Sequence, residues 1–358
     1  MNRLMELVGE HCTNGQIENV IRKKKKALAG QRNGDGQLLD RDYRITHPNR
    51  SALLNHFGAL VLSRNLEVAK AISLLRDSEE SGRQHILFYC CKRQHLSDYS
   101  DGTAVAERLW GSFDIEKFQP RFTINPSQFE WADFRNERSP NHGVQSWVLK
   151  GYDEHEIHRE VNRENLSERR YRVVYEKQNV RAVYVIRYRK YRDRCILELR
   201  IPVEAGGSVA SLRRAIDLVF ENAYRGINFD HFVPLDLAKA RSFFWTNEAS
   251  MQNVYRIPQL RFIDSDHGRT TMTARTPYEH LSAVPDRAAA ASQFSKVEEG
   301  LMYWLQRSDN STPAAAEDPI DGSLRVEVCR YMSNEIRIGS QANPKEVDYV
   351  CHQFCQNA

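Results

Sequence analysis

The sequence has no long apolar run. Nothing in it approaches the roughly 18–20 consecutive apolar residues of a membrane-spanning helix. The opening "MNRLMELVGEHCTNG" lacks the apolar core of about 7–15 residues that a secretory leader needs. No membrane partner is therefore expected. A disulfide framework is also missing. The seven cysteines, Cys12, Cys90, Cys91, Cys195, Cys329, Cys351 and Cys355, are odd in number and irregular in spacing. They predict free thiols in a reducing, cytoplasmic compartment. Charge of one sign is not in large excess either: the formal net charge is only +4 over 358 residues. A polyanion would have to be held by local clusters, not by the molecule as a whole. No internal repeat is present, the Lys-Ser/Thr signature of a phosphate loop is absent, and no cofactor is implied.

What remains is an ordinary globular composition, 41% hydrophobic and 27% charged, long enough for two or three domains of about 100–200 residues. Residues 1–80 read as a small helical bundle. In "NGQIENVIRKKKKALAG", Ile17, Val20, Ile21 and Leu28 recur at helical spacing, with Asn14 placed to cap the start and Gly30 to end it. A second helix is predicted from Asn49 or Ser51 through Leu53, Leu54, Phe57, Leu60 and Val61, and a third through Leu66, Val68, Ile72 and Leu75.

Residues 81–307 read as a mixed domain. "YRVVYEKQ", "RAVYVIRYR" and "RCILELRIPV" predict three strands joined by polar turns. In the last, Cys195, Leu197, Leu199 and Ile201 share one face, and Arg194, Ile196, Glu198 and Arg200 the other. "VASLRRAIDLVFENAYRG" predicts a helix capped by Ser208 or Ser211. "SKVEEGLMYWLQ" reads as another helix, residues 308–323 as a linker, and residues 324–358 as a hairpin plus a terminal helix packing on the central domain. The expected class is α+β: an N-terminal helical bundle, then an antiparallel sheet packed by helices on one face.

Two basic clusters point to phosphate. The first is Arg22, Lys23, Lys24, Lys25 and Lys26, five consecutive cations whose mutual repulsion an anion would relieve. The second runs through the middle strands, where residues 168–200 hold eleven Lys/Arg against four Asp/Glu. Its named candidates are Arg181, Arg187, Arg189, Lys190, Arg192 and Arg194. Arg grips phosphate bidentately, and the interleaved tyrosines Tyr171, Tyr175, Tyr184, Tyr188 and Tyr191 could stack on bases. On a regular strand, however, Arg181, Arg187 and Arg189 face away from Tyr184 and Tyr188. The leading expectation is a non-catalytic nucleic-acid-binding protein, on DNA or RNA, or a subunit of a nucleic-acid-handling complex with partner proteins.

Two alternatives stand beside it. One is a metal-dependent, nuclease-like enzyme. Asp193 and Glu198 would then flank a metal on one strand, with Arg200 where such sites need a Lys. His155 and His158 in "GYDEHEIHREVNRE" would be neighbours on a helix, without the i,i+4 spacing of a metalloprotease. The other is a protein–protein adaptor. Lesser polar groups, "EAGGS" at a helix start, Asp230-His231, "DSDHGR" and Cys351/Cys355 beside His352, each lack the partners that a defined site would need.

Overall fold

The computed structural model describes residues 2–32, 37–111, 121–122, 126–138, 145–167, 170–191, 194–251, 254–263, 269–274, 281, 296–305 and 323–358. The chain divides into two compact units, Met1–Gly82 with Gln341–Pro344, and Arg83–Ser340 with Lys345–Ala358. It is an α+β protein. No helix among the described residues is long and apolar enough to cross a membrane.

The first unit is helical: α1 (Asn2–His11), α2 (Asn14–Leu28), α3 (Arg50–Leu62) and α4 (Val68–Ser81). Its core is the set of apolar stripes that the spacing predicts, with Ile17, Ile21, Leu53, Phe57, Val61 and Leu75 buried beside Leu7 and Val8 of α1. α1 is an addition to the three expected helices. The cap of α2 is Thr13, one residue earlier than Asn14. Thr13 Oγ1 accepts from the Gln16 amide, and Gln16 Oε1 accepts from the Thr13 amide, a reciprocal capping box. α3 is capped by Asn49, which accepts from the Ala52 amide. Arg50 then donates to the carbonyls of Gly9 and Cys12, groups that the end of α1 leaves without helical partners.

The second unit is built on one sheet. Its strands are β1 (Gln84–Cys91), β2 (Glu130–Arg138), β3 (Gln145–Ser167), β4 (Arg170–Tyr191), β5 (Arg194–Pro202), β6 (Phe232–Pro234), β7 (Tyr255–Ile263), β8 (Arg269–Thr273), β9 (Lys296–Leu305), β10 (Ser323–Val328) and β11 (Glu335–Ile338). They run in the order β2-β3-β4-β5-β1-β11-β10-β9-β7-β8, with β6 pairing β1. Its helices are α5 (Leu96–Ser100), α6 (Gly102–Trp110), α7 (Val209–Ala223), α8 (Ala238–Asn247) and α9 (Pro344–Asn357). One face of β4 and β5, carrying Tyr184, Ile186, Tyr188, Leu197 and Leu199, packs into the main core with Leu212, Ile216 and Val219 of α7. α7 starts at Ser208 in a capping box with Ser211.

Three expectations change. The first two of the three middle strands are one: β4 runs through Gln178 and Asn179, which pair with Ile157 and Glu156. The segment expected as a polar surface helix around His155 and His158 is the partner strand β3. It has no apolar stripe to hold a helix on a core, and an equally long neighbour satisfies its backbone groups. "SKVEEGLMYWLQ" forms β9 between β7 and β10, so cross-strand pairing overrides a pattern that also suits a helix. The hairpin near Ser333-Asn334 forms as expected, β10 pairing β11. The linker-like residues 308–322 lie outside the described residues.

β3 and β4 are joined into the sheet only along part of their length. β2 pairs β3 from Gln145 to Tyr152, and β5 pairs β4 from Val185 to Tyr191. From Glu154–Ser167 and Arg170–Arg181 onward, the two strands pair with each other alone among the described residues. At about 3.3 Å per residue this ribbon is roughly 40 Å long. Its base is packed tightly at Gly151, where a Cβ would fall 2.4 Å from Phe129 Cζ and 3.1 Å from Trp131 Cε3. Gly151→Ala is expected to expel the Phe129 ring and to cost about 1–3 kcal/mol in urea denaturation. An unchanged midpoint would mean that the ring moves freely.

Candidate functional site

Arg181, Arg187 and Arg189 lie on the face of β4 opposite Tyr184 and Tyr188, as strand parity requires. Register fixes their neighbours. Arg187 stands opposite Glu198 on β5 and Val148 on β3, and Val148 opposite Arg135 on β2. One row along, Arg189 stands opposite Ser146, which faces Glu137. The terminal helix α9 contributes Asp348. Arg187 Nη1 donates to Asp348 Oδ1 at 2.7 Å, Arg189 Nη2 donates to the same oxygen, and Arg200 Nη2 lies 3.4 Å from it. Arg200 Nη2 donates to Glu198 Oε2 at 2.6 Å, and Arg189 Nε pairs with Glu198 Oε1 at 3.0 Å. Arg187 Nη2 reaches Glu137 at 3.2 Å, and Arg135 bridges Glu137 and Asp133 at 2.8 and 2.9 Å. Four guanidiniums, Arg135, Arg187, Arg189 and Arg200, thus meet four carboxylates, Asp133, Glu137, Glu198 and Asp348.

This is a neutral lattice, not an open positive surface. Arg187 and Arg200 are buried, and Glu198 is wholly so. Burial by itself would raise the carboxyls of Glu198 and Asp348. The Arg189, Arg200 and Arg187 guanidiniums outweigh it and hold both below the usual carboxylate range. Arg181 is also buried, donating to the Phe122 carbonyl at 2.5 Å with its guanidinium 4.1 Å over the Tyr152 ring. Arg194 donates to the Cys355 carbonyl at 2.6 Å, at the end of α9. Of the middle-strand candidates, Lys190 is exposed, and Arg192 lies outside the described residues. Tyr184 and Tyr188 are core side chains, so they offer no ring to a base.

Helix α2 behaves differently. Arg22, Lys23 and Lys26 are exposed, and Lys24 and Lys25 are half-buried at its flanks, their stems able to lie along the apolar rim. None of the five has an ion-pair partner among the described residues. Lys25 and Lys26 fall in the last turn, where the negative end of the helix dipole offsets part of their repulsion. Residues 1–82 hold thirteen Lys/Arg against ten Asp/Glu, which is three of the chain's four net charges.

The ribbon carries Tyr171 and Tyr175, 60% and 56% exposed. They share a face with Glu160 and Arg163. Arg163 is paired bidentately with Glu160 and sits 4.9 Å over the Tyr171 ring. Residues 154–180 hold six Lys/Arg and six Asp/Glu, so the ribbon is neutral. His155 and His158 lie on the strand β3, so the helical i,i+3 spacing expected to make them neighbours does not exist.

The nuclease-like arrangement meets a similar obstacle. Glu198 is closed to solvent and enclosed by Arg189 and Arg200, so a metal would have to displace both guanidiniums. Asp193 lies outside the described residues. The cysteines are free, as expected. Burial pushes the thiols of Cys12 and Cys91 up to about 12, and that of Cys351 well above its ordinary value, which suits inert core thiols. One cluster escaped sequence reasoning. His95, Asp98 and His231 bring three ligand atoms within 4.8 Å of one another. Asp230-His231 was visible as a polar pair, but nothing in the spacing links it to His95.

The lattice makes stability depend on acid in a defined direction. Carboxyls held low in the fold stabilise it above their unfolded values near about 4, and that contribution disappears as pH falls through the folded values. Unfolding midpoints in urea are expected to drop below about pH 4. Glu198→Gln, which strips a buried partner from Arg189 and Arg200, is expected to cost about 3–5 kcal/mol at neutral pH. Asp348→Asn is expected to cost less, about 1–2 kcal/mol, because its side chain is 38% exposed and screened, and to flatten the acid limb. A steep acid limb retained in both variants would place the responsible carboxyls elsewhere. Set beside known proteins, the chain matches no family model and no curated protein, so the chemistry of its own residues carries the functional reading.

Proposed function

We propose that the protein is a non-catalytic nucleic-acid-binding protein, or a subunit of a nucleic-acid-handling complex, and that it contacts phosphates through the outer face of α2. The observation that carries this reading is the contrast between the two basic clusters. The guanidiniums of the middle strands are matched by carboxylates, whereas Arg22, Lys23, Lys24, Lys25 and Lys26 are matched by none among the described residues. Clustered cations without internal partners hold condensed anions, and phosphates are anions at fixed spacing. Among the described middle-strand candidates, Lys190 is the residue left to solvent. Arg181, Arg187, Arg189 and Arg194 hold the fold.

A second reading, the protein–protein adaptor, is favoured by the β3–β4 ribbon. A two-stranded ribbon exposed on both faces is marginal in water, and Val161, Tyr171, Val174 and Tyr175 are exposed on this one. Its neutral charge suits a protein partner better than a polyanion.

Fluorescence anisotropy with labelled single- and double-stranded DNA and RNA, at stepped salt, separates the two. With three to five phosphate contacts, affinity for duplex DNA is expected to fall about 40- to 500-fold between 50 and 200 mM salt. Replacing Arg22, Lys23 and Lys26 with Gln is expected to reduce the log–log salt slope by about three without altering the melting temperature. Tyr171→Ser with Tyr175→Ser should leave both affinity and slope unchanged. A slope indifferent to the α2 variant, or no retention of any nucleic acid at low salt, refutes the phosphate reading and leaves the adaptor.

A further inference from the structure

β1 and β6 are antiparallel, with Cys91 opposite Phe232. The turn that follows β1 and the turn that precedes β6 therefore emerge at the same end. The first is a short 3-10 turn, Arg93–His95, running into α5. The second is the 3-10 turn Phe229–His231. They carry His95, Asp98 and His231. The two imidazoles stack with centroids 3.4 Å apart and planes 3° from parallel. The Nδ1 atoms of both approach a single carboxylate oxygen, Asp98 Oδ2, at 3.1 Å from His95 and 3.9 Å from His231. Ligand atoms around a tetrahedral zinc-class ion lie about 3.3 Å apart, given bonds of about 2.0–2.1 Å.

The backbone bearing these side chains is held from several directions. The Lys92 amide donates to the His231 carbonyl at 2.8 Å, and Lys92 Nζ to the Asp230 carbonyl at 2.6 Å. Arg108 Nη2 donates to the Asp98 carbonyl at 2.9 Å, and the Trp147 indole to the Tyr99 carbonyl at 2.8 Å. Tyr99 is buried, packed on Phe232 and Tyr188, and its hydroxyl accepts from the Asn228 amide at 3.1 Å. The ligand side chains themselves remain partly open: His95 and His231 are half-buried and Asp98 is exposed. The frame is fixed while the side chains can turn: lone pairs of parallel imidazoles 3.4 Å apart do not converge, so an ion requires the His231 ring to rotate from the Tyr99 hydroxyl toward His95 and Asp98.

We infer that His95, Asp98 and His231 bind a divalent transition-metal ion of the zinc class, with solvent completing its coordination. Two imidazoles and one carboxylate suit zinc, cobalt or nickel better than magnesium or calcium, which prefer all-oxygen sites. The hydrogen bonds state what binding must change. Asn228 Oδ1 accepts from the Asp230 amide at 3.0 Å, so its Nδ2 donates to His231 Nε2 at 3.1 Å. The His231 proton is then on Nδ1, directed to the Tyr99 hydroxyl at 2.8 Å. An ion on Nδ1 displaces that proton, and a proton carried on Nε2 needs an acceptor where Asn228 now offers a donor. Asn228 is thus a positioning residue. Asn228→Asp keeps the bond to the Asp230 amide and supplies a second acceptor oxygen, completing a carboxylate–histidine–metal arrangement.

The test is calorimetric titration of the full chain, stripped with chelator and dialysed, with zinc and with cobalt, and absorption spectra of the cobalt form. One equivalent per chain is expected. His95→Gln and His231→Gln, which preserve bulk, should each weaken zinc at least about 10–100-fold while circular dichroism and melting without metal stay as in the parent. Asn228→Asp should tighten zinc several-fold, which loss of a merely structural bond would not do. The cobalt spectrum should show ligand-field bands without thiolate charge transfer. No saturable binding, equal binding by the parent and both His variants, or a thiolate band marking a cysteine site would each overturn the assignment.

Discussion

The middle of the sheet depends on a charge lattice that the chain closes only at its end. β2, β4 and β5 bring Arg135, Arg187, Arg189 and Arg200 onto one face, and three of those guanidiniums converge on Asp348 of α9. Guanidiniums removed from water without carboxylates would cost several kcal/mol each. The face therefore becomes a packing surface for a helix only when Glu198 and Asp348 are both in place. Arginine suits this role because one planar fork can serve two carboxylates at once, as Arg135 does with Asp133 and Glu137.

The same lattice reassigns the cations. A cluster that looks like a phosphate surface in one dimension is the underside of a helix in three, and its tyrosines belong to the opposite core. The exposed cations of α2 and those of the ribbon differ in kind. Those of α2 stand without carboxylates among the described residues, whereas ribbon cations pair locally, Arg163 with Glu160 and Lys177 with Glu156. Charge that is balanced at its own position attracts no polyanion. Unbalanced charge does.

Topology also decides where histidines meet. An antiparallel strand pair returns its two flanking turns to one end, so His95 and His231 become stacked neighbours although β2 to β5 and three helices lie between them in sequence. The long β3–β4 pair works in the opposite direction. It sets His155 and His158 on an extended strand, without the one-turn spacing that a helix would have created.

The amino-acid order by itself determined α2, α3 and α4 of the first unit, because Ile17, Ile21, Leu53, Phe57 and Leu75 repeat at a period that only a helix can bury on one side. It also narrowed the caps to Asn49 or Ser51 and to Ser208 or Ser211, and determined the alternation of β5 and that the α2 cations are not all buried, since five adjacent charges cannot all face a core. It did not determine the type of the segments around His155 and Gly300, whose patterns suit either period until a partner strand supplies hydrogen bonds. Nor did it reveal that the charged face of β5 is buried. Arg200 and Glu198 alternate with Leu197 and Leu199 as solvent-facing residues would, and only the return of Asp348 on a distant helix makes burial favourable. A period reports which side chains share a face. What covers that face is a matter of long-range pairing, and tertiary structure alone decides it.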